Sequence, residues 1–356
     1  MPHKRFAFVI SDLYGGGAQK VLLNTAEGLR AKGHCVRVFL LRNRIEHEIP
    51  DQLDIVNLAV ISKTTKALSN VWIERLQARK IRTALSAFSP DVTISCSCDK
   101  ITRHIDGFNM YYWVHANSIE GAENTQQRNK KIRKIKRFYT GKRLIVVSEG
   151  IRDSLIAQAN LDKENIQVIY NPFDQAFLQR LSKDTSDGPS QREYFIHVGT
   201  FERRKRHDRL LRAYYSSGSS TPLVIMGKGS EQERSAITNL TLELGIQEKV
   251  HILPFQRNPY PWIARAKALL LSSDQEGLPT VLIEALLLHV PVISVDCPSG
   301  PREILTQELA DFLVSPDNEE GLANAISRMD QAPIEIVERH YQKFLKENVL
   351  PQFEAL

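Results

Sequence analysis

The sequence contains no long hydrophobic run. No apolar stretch approaches the roughly 20 residues that a helix needs to cross a bilayer, so the sequence predicts no membrane-spanning helix. The first apolar run, from Phe6 to Ile10, is shorter than the apolar core of a secretion signal and is interpreted as a buried strand. We therefore expect a cytoplasmic protein.

Cysteine is also scarce, with 4 residues among 356. Cys96 and Cys98 form a Cys-x-Cys pair, but no second pair or nearby histidine cluster completes a zinc site. Free cysteine is among the residue types most often buried, so both are expected to be small core residues. The sequence predicts neither a disulfide nor a metal site.

The composition is that of a globular chain with room for two domains. Hydrophobic residues make up 42% and charged residues 25% of the 356 positions, and this length exceeds one ordinary core. Strand and helix patterns alternate, which favours parallel sheets covered by helices on both faces. We predict an α/β fold of two Rossmann-like, doubly wound domains at residues 1–172 and 173–340. A polar stretch from Ser182 to Ser190 has the composition of a linker, and the pattern from Pro333 to Leu356 is helical.

Two glutamates, Glu276 and Glu284, flank a Gly-Leu-Pro turn and an apolar run. Glycine and proline favour a turn that leads into a helix, and the free N–H groups of a helix N-terminus can bind a phosphate. The spacing of the glutamates corresponds to about two helical turns. We therefore expect Glu284 to lie where it can hydrogen-bond a ribose, and Glu276 to lie in the preceding loop near a sugar.

Two motifs of the first half follow predicted strands, where ligands of open α/β sheets bind. Three glycines, Gly15 to Gly17, come between the first strand and helix, where a backbone can approach a phosphate or sugar closely. The Gly-x-Gly-x-x-Gly fingerprint is incomplete and no acidic residue ends the second strand, which weakens a dehydrogenase interpretation. His115 comes just past another strand, where a site role and a structural role both remain open.

The second half repeats this arrangement with a basic cluster and a glycine loop. The segment from Gly199 to Asp208 contains four consecutive cations, which fit either a phosphate site or a solvated surface. Met226 to Glu231 places two glycines after a strand, which in isolation indicates only a turn. Another strand pattern runs from Val250 towards Phe255.

Taken in order from Gly15 to Glu303, these motifs resemble those of the retaining GT-B glycosyltransferases of the family 4 type, also called glycosyl transferases group 1. The acidic pair is similar to their Glu-x7-Glu pattern, and Lys205 is similar to the lysine that they aim at the donor diphosphate. One departure is Thr200, which stands where the family commonly has an arginine. Either Arg203 or Arg204 is available to replace it.

The resemblance implies two Rossmann-like domains facing across a cleft, with residues 341–356 packing back on the first domain. It implies that the second domain binds the nucleotide sugar and the first domain the acceptor. The resemblance assigns catalysis to His115, Lys205 and Glu276. It assigns donor binding to Gly16, Gly17, Arg204, Gly229, Leu253, Phe255, Gly277, Leu278, Pro279, Thr280 and Glu284.

The implied reaction transfers a hexose or N-acetylhexosamine from a nucleotide sugar, with UDP as the first choice of nucleotide, and retains the anomeric configuration. The acceptor is a hydroxyl of a lipid-linked, lipopolysaccharide or capsule glycan. No cofactor is expected beside the nucleotide-sugar cosubstrate, and no metal, because the chain has no Asp-x-Asp sequence to anchor a metal-diphosphate clamp. Two alternatives stay open: a nonhydrolysing UDP-sugar 2-epimerase, and a noncatalytic nucleotide-binding scaffold in glycan assembly.

Positive charge is concentrated between Arg128 and Arg143. Nine residues there are lysine or arginine, whereas the whole chain carries a net charge of +6. A solvated helix face and a face that binds an anionic membrane both fit such a segment. Residues 128–143 are therefore a candidate for peripheral attachment to the cytoplasmic face of the inner membrane. Nucleic acid is not an expected partner, since no zinc-finger, RNP or recognition-helix pattern accompanies the charge.

Overall fold

The structure is a computed structural model that describes residues 3–62, 70–122, 124–184 and 193–356. The chain divides into two units, Met1–Phe173 with Lys346–Leu356, and Asp174–Leu345. Each unit contains one parallel sheet with helices between most successive strands, which confirms the predicted α/β class. Residues 185–190 of the predicted linker lie outside the described residues.

The first unit is built on a parallel sheet. Its strands are β1 (Arg5–Ile10), β2 (Cys35–Leu40), β3 (Asp54–Asn57), β4 (Val92–Cys96), β5 (Met110–Val114), β6 (Arg143–Val146) and β7 (Ile166–Val168). They are hydrogen-bonded in the order β3-β2-β1-β4-β5-β6-β7. The order reverses between β1 and β4, and the crevice outside the carboxyl ends of such strands is where open α/β sheets bind ligands.

Amphipathic helices connect these strands. They are α1 (Gly17–Ala31), α2 (Val71–Phe88), α3 (Asp99–Thr102), α4 (Thr125–Tyr139) and α5 (Glu149–Ala159). Asparagine or serine side chains cap three of them: Asn70 accepts hydrogen bonds from two N–H groups of α2, Asn124 caps α4, and Ser148 caps α5. Buried side chains of α2 recur at helical spacing, including Ile81, Leu85 and Phe88. The capped helices thus begin where local side chains satisfy their first N–H groups.

The second unit has the same plan. Its strands are β8 (Phe195–Val198), β9 (Leu223–Gly227), β10 (Val250–Pro254), β11 (Ala268–Leu271), β12 (Val292–Val295) and β13 (Leu313–Val314). Its helices are α6 (Gln175–Ser182), α7 (His207–Ser216), α8 (Glu231–Glu243), α9 (Tyr260–Ile263), α10 (Thr280–Leu287), α11 (Pro301–Ile304) and α12 (Glu319–Gln331). The parallel strand order is β10-β9-β8-β11-β12-β13, so the order reverses between β8 and β11.

The C-terminal helix, α13 (Lys346–Glu354), belongs to the first unit. Its Glu354 carboxylate lies 2.8 Å from Nε2 of His34, and its Phe353 ring lies 5.2 Å from that of Trp113. The predicted helix over Pro333 to Leu356 was wrong in extent, because only α13 is α-helical and two short 3-10 turns precede it. Pro333 disfavours helical geometry in the residue before it, Ala332, so α12 ends at Gln331.

Two short edge strands, β3 and β13, are absent from the sequence prediction. Both are at most four residues long, and β3 is only partly buried, so neither has a continuous apolar run. The predicted burial of Cys96 and Cys98 is confirmed, and burial raises the pKa of Cys98 to about 12. Among the described residues, no helix combines the length and apolar character needed to cross a membrane.

Candidate functional site

The loops that follow β8 and β11 bring Lys205 and Glu276 together. These two strands are hydrogen-bonded neighbours at the point where the strand order reverses. Nζ of Lys205 donates to Oε1 of Glu276 at 2.6 Å, and Oγ of Ser273 donates to the same oxygen at 2.7 Å. The lysine and glutamate side chains are only 11% and 10% exposed. A largely buried ion pair therefore lies where doubly wound sheets bind their ligands.

Hydrogen bonds between the two loops hold this pair in place. Oγ of Ser272 donates to the carbonyl oxygen of Lys205, and the N–H of Asp274 donates to the carbonyl oxygen of Arg204, both at 2.8 Å. The guanidinium of Arg209 donates to the Ser272 carbonyl oxygen and to the Asp274 carboxylate, again at 2.8 Å. The separation of the lysine and the glutamate is therefore set by the backbone, not by their side chains alone.

Of the two arginines that can replace the one missing at Thr200, Arg204 lies nearer the ion pair. Its Nη1 is 3.9 Å from Oε2 of Glu276, and it also lies 3.5 Å from the carbonyl oxygen of Gln275. Arg203 is exposed and forms no ion pair with any residue in the described parts of the chain. The structure thus brings Arg204 to the site and leaves Arg203 on the surface.

Two buried histidines adjoin Lys205. The rings of His197, in β8, and His207, the first residue of α7, have centroids 4.8 Å apart. Burial, assisted by the Lys205 charge, lowers the pKa of His207 to about 4, and burial lowers that of His197 well below its usual value. Nε2 of each ring has no hydrogen-bond partner among the residues described. Both imidazoles are therefore neutral at pH 7 and add no positive charge beside the lysine.

Backbone segments approach closely at the ends of β8 and β9. A Cβ on Gly227 would lie 1.7 Å from the carbonyl oxygen of Gly199, and one on Gly229 would lie 2.5 Å from Cβ of Phe201. No larger residue fits at either position without a backbone shift. The close approach of Phe201 alone explains why residue 229 is a glycine. The role of Gly229 in donor binding stays a prediction.

The turn Gly277-Leu278-Pro279-Thr280 leads directly into α10, as predicted. Pro279 occupies the N-cap position before the first helical residue, Thr280, and its side chain can accept no hydrogen bond from the N–H groups of the first turn. Gly300 packs against this turn with φ of +91°, and a Cβ there would lie 2.6 Å from Cδ of Pro279. The loop after β12 therefore helps to hold the turn.

The expected geometry of Glu284 was wrong. Helix α10 begins only at Thr280, so the segment from Glu276 includes a non-helical turn and Glu284 lies about one turn into the helix. The Glu284 carboxylate accepts a hydrogen bond from Oη of Tyr260 at 2.9 Å. Burial and this carboxylate raise the pKa of Tyr260 well above that of a free phenol. The ribose-binding role of Glu284 remains a prediction.

The remaining predicted donor residues lie elsewhere. Leu253 is in β10, in register with Met226 of β9, and Phe255 follows β10 with an exposed side chain. In the first unit, Gly16 has φ of +71° at the N-cap of α1 and Gly17 begins that helix. Within the second unit, the structure thus brings together Lys205, Glu276 and Arg204.

His115 follows β5 in the first unit. Its ring centroid lies 4.5 Å from that of Trp113, and its Nε2 atom is buried with no hydrogen-bond partner in the described part of the chain. Burial lowers the pKa of His115 to about 3, so the imidazole is neutral at pH 7. A neutral ring with a free nitrogen can exchange hydrogen bonds with sugar hydroxyls.

Sequence reasoning missed Ser273 and Asp274. Both lie in the loop that follows β11, where the sequence is Ser-Ser-Asp-Gln-Glu, so the strand-end argument used for His115 would have found them. Arg209 lies inside α7, and its contact with Asp274 depends on the pairing of β8 with β11. No local pattern in the sequence indicates that contact.

Two family models together match most of the chain. The model described as glycosyl transferases group 1 matches residues 179–343, and that described as glycosyltransferase family 4 matches residues 15–177. The chain belongs to this glycosyltransferase family. Its members are transferase enzymes, and the membership confirms the resemblance drawn from the motifs.

Three curated relatives match different shares of the chain. An uncharacterized glycosyltransferase, MJ1059, of Methanocaldococcus jannaschii is 29% identical over 65% of the chain and 61% of its own length. The N-acetylgalactosamine-N,N'-diacetylbacillosaminyl-diphospho-undecaprenol 4-alpha-N-acetylgalactosaminyltransferase of Campylobacter jejuni is 30% identical over 51% of the chain and 49% of its own length. The lipopolysaccharide 1,6-galactosyltransferase of Salmonella typhimurium is 27% identical over 91% of the chain and 89% of its own length. The chain thus spans only about half to three fifths of the length of the first two relatives.

Solved structures support the fold of the chain. The apo form of the lipopolysaccharide outer core galactosyltransferase WaaB has a TM-score of 0.71 at 20% identity, with 99% of this chain and 98% of that chain covered. Anabaena HepE in complex with UDP has a TM-score of 0.75 at 18% identity, with the same shares covered. Together with the two parallel sheets, these likenesses confirm the GT-B fold class.

Proposed function

We propose that the chain transfers a hexose or N-acetylhexosamine from a UDP-sugar to a hydroxyl of a lipid-linked or lipopolysaccharide glycan, with retention at the anomeric carbon. Two relatives support the acceptor class by name, since one is a lipopolysaccharide galactosyltransferase and the other acts on a diphospho-undecaprenol-linked sugar. The likeness to a UDP complex supports the nucleotide.

The observation that carries this proposal is the Lys205–Glu276 pair at the point where the strand order reverses. Bond cleavage leaves negative charge on the departing diphosphate, and a positioned ammonium stabilises that charge. Lys205 supplies this cation, and Arg204 supplies a second one. Glu276 keeps one carboxylate oxygen free of the Lys205 and Ser273 hydrogen bonds, and that oxygen accepts hydrogen bonds from the hydroxyls of the donor sugar.

The other predicted donor residues complete the site in this proposal. The backbone of Gly277 to Thr280 at the start of α10 contacts the diphosphate through N–H groups, because a helix N-terminus favours an anion. Glu284 binds the ribose, and the backbone around Leu253 and Phe255 reads the edge of the base. Gly229 lines the nucleotide, and the backbone at Gly16 and Gly17 allows the donor to approach closely.

The acceptor hydroxyl loses its proton to the leaving phosphate on the same face of the sugar, so the reaction needs no separate carboxylate base. His115 positions the donor sugar and the acceptor hydroxyl by hydrogen bonds. Its imidazole is suited to this because burial lowers its pKa to about 3 and keeps it neutral across the physiological range. No metal ion or cofactor is required, so we expect the activity to persist in EDTA.

We also propose that the enzyme is peripheral on the cytoplasmic face of the inner membrane, through residues 128–143. In the structure α4 carries most of this segment, and its cations Arg128, Lys130, Arg133, Lys134 and Lys136 are exposed. An anionic lipid surface attracts such a helix, and a lipid-linked acceptor would be presented there.

A thermal-shift screen tests the donor. A ligand that binds the folded state stabilises it by about 2.7 kcal/mol at a concentration of 100 times its Kd, which raises Tm. We expect UDP and one UDP-hexose or UDP-N-acetylhexosamine to raise Tm, and GDP-mannose to leave it unchanged. A rise with GDP-mannose alone would contradict the choice of UDP, and no rise with any nucleotide sugar would contradict the donor site.

Product analysis by NMR tests the reaction. The selected donor is incubated with extracted lipopolysaccharide or lipid-linked glycan, and we expect a new glycosidic signal with the anomeric configuration of the donor. An inverted configuration would refute retention. A free epimerised sugar formed without any acceptor would refute transfer, and donor binding without any product would leave only a binding function.

A further inference from the structure

A groove in the first unit lies between α2 and α4, apart from the Lys205–Glu276 site of the second unit. Its volume is about 650 Å³, and both helices and α3 contribute to its walls. The cations of α4 that line it are Lys130, Arg133, Lys134 and Arg137, and the one carboxylate is that of Glu74 in α2. The groove is therefore predominantly cationic.

The single carboxylate does not neutralise these cations. Glu74 is buried and accepts hydrogen bonds from Arg103 at 2.8 Å and from His104 at 3.0 Å, both outside α4. Helix α4 itself contains seven lysines and arginines and no aspartate or glutamate. Lys130, Arg133 and Arg137 form no ion pair with any described residue. Their positive charge is thus available to an anion from outside.

Helix α2 presents an apolar pair beside the groove. Trp72 and Leu76 lie one turn apart with side chains 75% and 64% exposed, while Val71 at the start of the same helix lines the groove. Two exposed arginines, Arg75 and Arg79, stand next to them on the helix. The outer side of α2 therefore combines an exposed tryptophan with cations. Helix α2 lies outside the basic segment, residues 128–143, that the sequence analysis singled out.

A bilayer that contains anionic phospholipid matches both the cationic groove and the exposed apolar pair of α2. Anionic phospholipid headgroups are attracted to lysine and arginine, and tryptophan is favoured at the membrane–water interface because its ring is apolar and its N–H is polar. An acidic protein partner would also match the charge, but the buried core of a protein interface is depleted of charged residues, whereas only two large apolar side chains are strongly exposed here among many cations.

We propose that α2 and α4 form one docking surface for a bilayer that contains anionic phospholipid. The groove receives a lipid phosphate, and Trp72 and Leu76 insert among the headgroups. This inference rests on the proposed peripheral membrane location, and deepens it by naming the ligand and adding α2. It does not depend on the donor site, which lies in the other unit.

Vesicle sedimentation tests the charge requirement. The full chain is mixed with phosphatidylcholine vesicles, with or without phosphatidylglycerol, and we expect binding only when the anionic lipid is present. Replacing Arg133 and Arg137 by glutamine should weaken the partition coefficient on the order of 30-fold, because each cation near the surface contributes. The matched control replaces Arg212 and Arg328, exposed cations of the second unit, and should bind like the wild type. Equal binding to both kinds of vesicle, or equal losses in both double variants, would overturn the proposal.

Tryptophan fluorescence tests the insertion. The other two tryptophans are Trp113, which is fully buried, and Trp262, which is partly buried, so Trp72 is the one that lipid can reach. Brominated phospholipid should quench part of the emission of the wild type. The Trp72→Phe variant should still bind the vesicles but lose this quenching. Quenching that persists in this variant would show that another surface meets the bilayer, and the proposed orientation would be refuted.

Two further arms identify the ligand and separate this inference from the donor site. If inorganic pyrophosphate binds in an Arg133-dependent way and vesicles do not, the groove is a free-phosphate site and the docking proposal fails. UDP-induced Tm shifts are measured for the same variants and should match the wild type. Failure of the wild type to bind anionic vesicles, with an intact UDP response, would refute only the docking surface. Vesicle binding by the wild type without any UDP response would refute only the donor site.

Discussion

The Lys205→Ala substitution removes the cation that two sheet-end loops hold 2.6 Å from Glu276. In the proposed reaction this ammonium is aimed at the leaving diphosphate from a site that is only 11% exposed, so water cannot replace it fully. Removal of one preorganised electrostatic group of this kind costs about 10²- to 10³-fold in kcat, or about 3–4 kcal/mol. We therefore expect kcat to fall by that factor at saturating donor.

The same substitution has a smaller effect on folding. Glu276 keeps its hydrogen bond from Ser273 at 2.7 Å and lies 3.9 Å from Arg204, so its charge is not left without partners. A buried acceptor that loses one of its hydrogen bonds costs about 1–3 kcal/mol. The variant should therefore remain folded, with a moderately lower Tm, and its kinetics can be measured.

The assay compares Lys205→Ala with two neighbouring variants. Arg203→Ala removes an exposed cation two positions away and serves as the matched control, for which we expect wild-type kcat and a wild-type rise of Tm with UDP. The kcat of Arg204→Ala should lie between those of Lys205→Ala and Arg203→Ala, because the guanidinium of Arg204 lies at the edge of the site. A folded Lys205→Ala variant with kcat within about threefold of wild type would refute the reasoning. A loss of kcat in Arg203→Ala as large as that in Lys205→Ala would also refute it.

Four further predictions follow from single groups. Glu276→Gln should keep the Tm rise with UDP and lose the additional rise with the UDP-sugar, in thermal shift. Gly227→Ala should lower Tm strongly with or without UDP, because its Cβ would lie 1.7 Å from the carbonyl oxygen of Gly199; a wild-type Tm would contradict the close approach. Burial raises the pKa of Glu74, but hydrogen bonds from Arg103, His104 and Lys100 outweigh it and lower the pKa to about 2. The ionised carboxylate thus adds about 3 kcal/mol to the free energy of unfolding above about pH 4.5, and this contribution is lost as the pH falls towards 2. In urea unfolding, Glu74→Gln should therefore be less stable than the wild type at pH 7 and closer to it at pH 3. Burial lowers the pKa of His115 to about 3, so between pH 7 and pH 4 the wild type should lose up to about 3 kcal/mol more stability than His115→Gln, and equal losses would contradict a buried neutral ring.

Local patterns were sufficient for much of the fold. The strand β1 is a run of apolar residues, and glycine or capping residues mark where many helices begin and end, so alternating strands and helices can be read from neighbours along the chain. Parallel strands place their carboxyl ends at one edge of the sheet, which is why Lys205 and Glu276, in two motifs that follow strands, were both candidates for the site. The ordered motifs also sufficed to indicate the family.

The tertiary structure decided which of these residues meet. Lys205 and Glu276 are 71 positions apart, and they form a hydrogen bond because β8 and β11 are neighbours in the sheet, a pairing that no local pattern contains. The same holds for Glu284, whose spacing suggested two helical turns but whose helix starts late enough to direct it to Tyr260. The groove between α2 and α4 likewise exists only once helices separated in sequence are packed side by side. Sequence periodicity determines each element from short-range geometry, whereas contacts between elements depend on sheet order and packing, which are set by the whole chain.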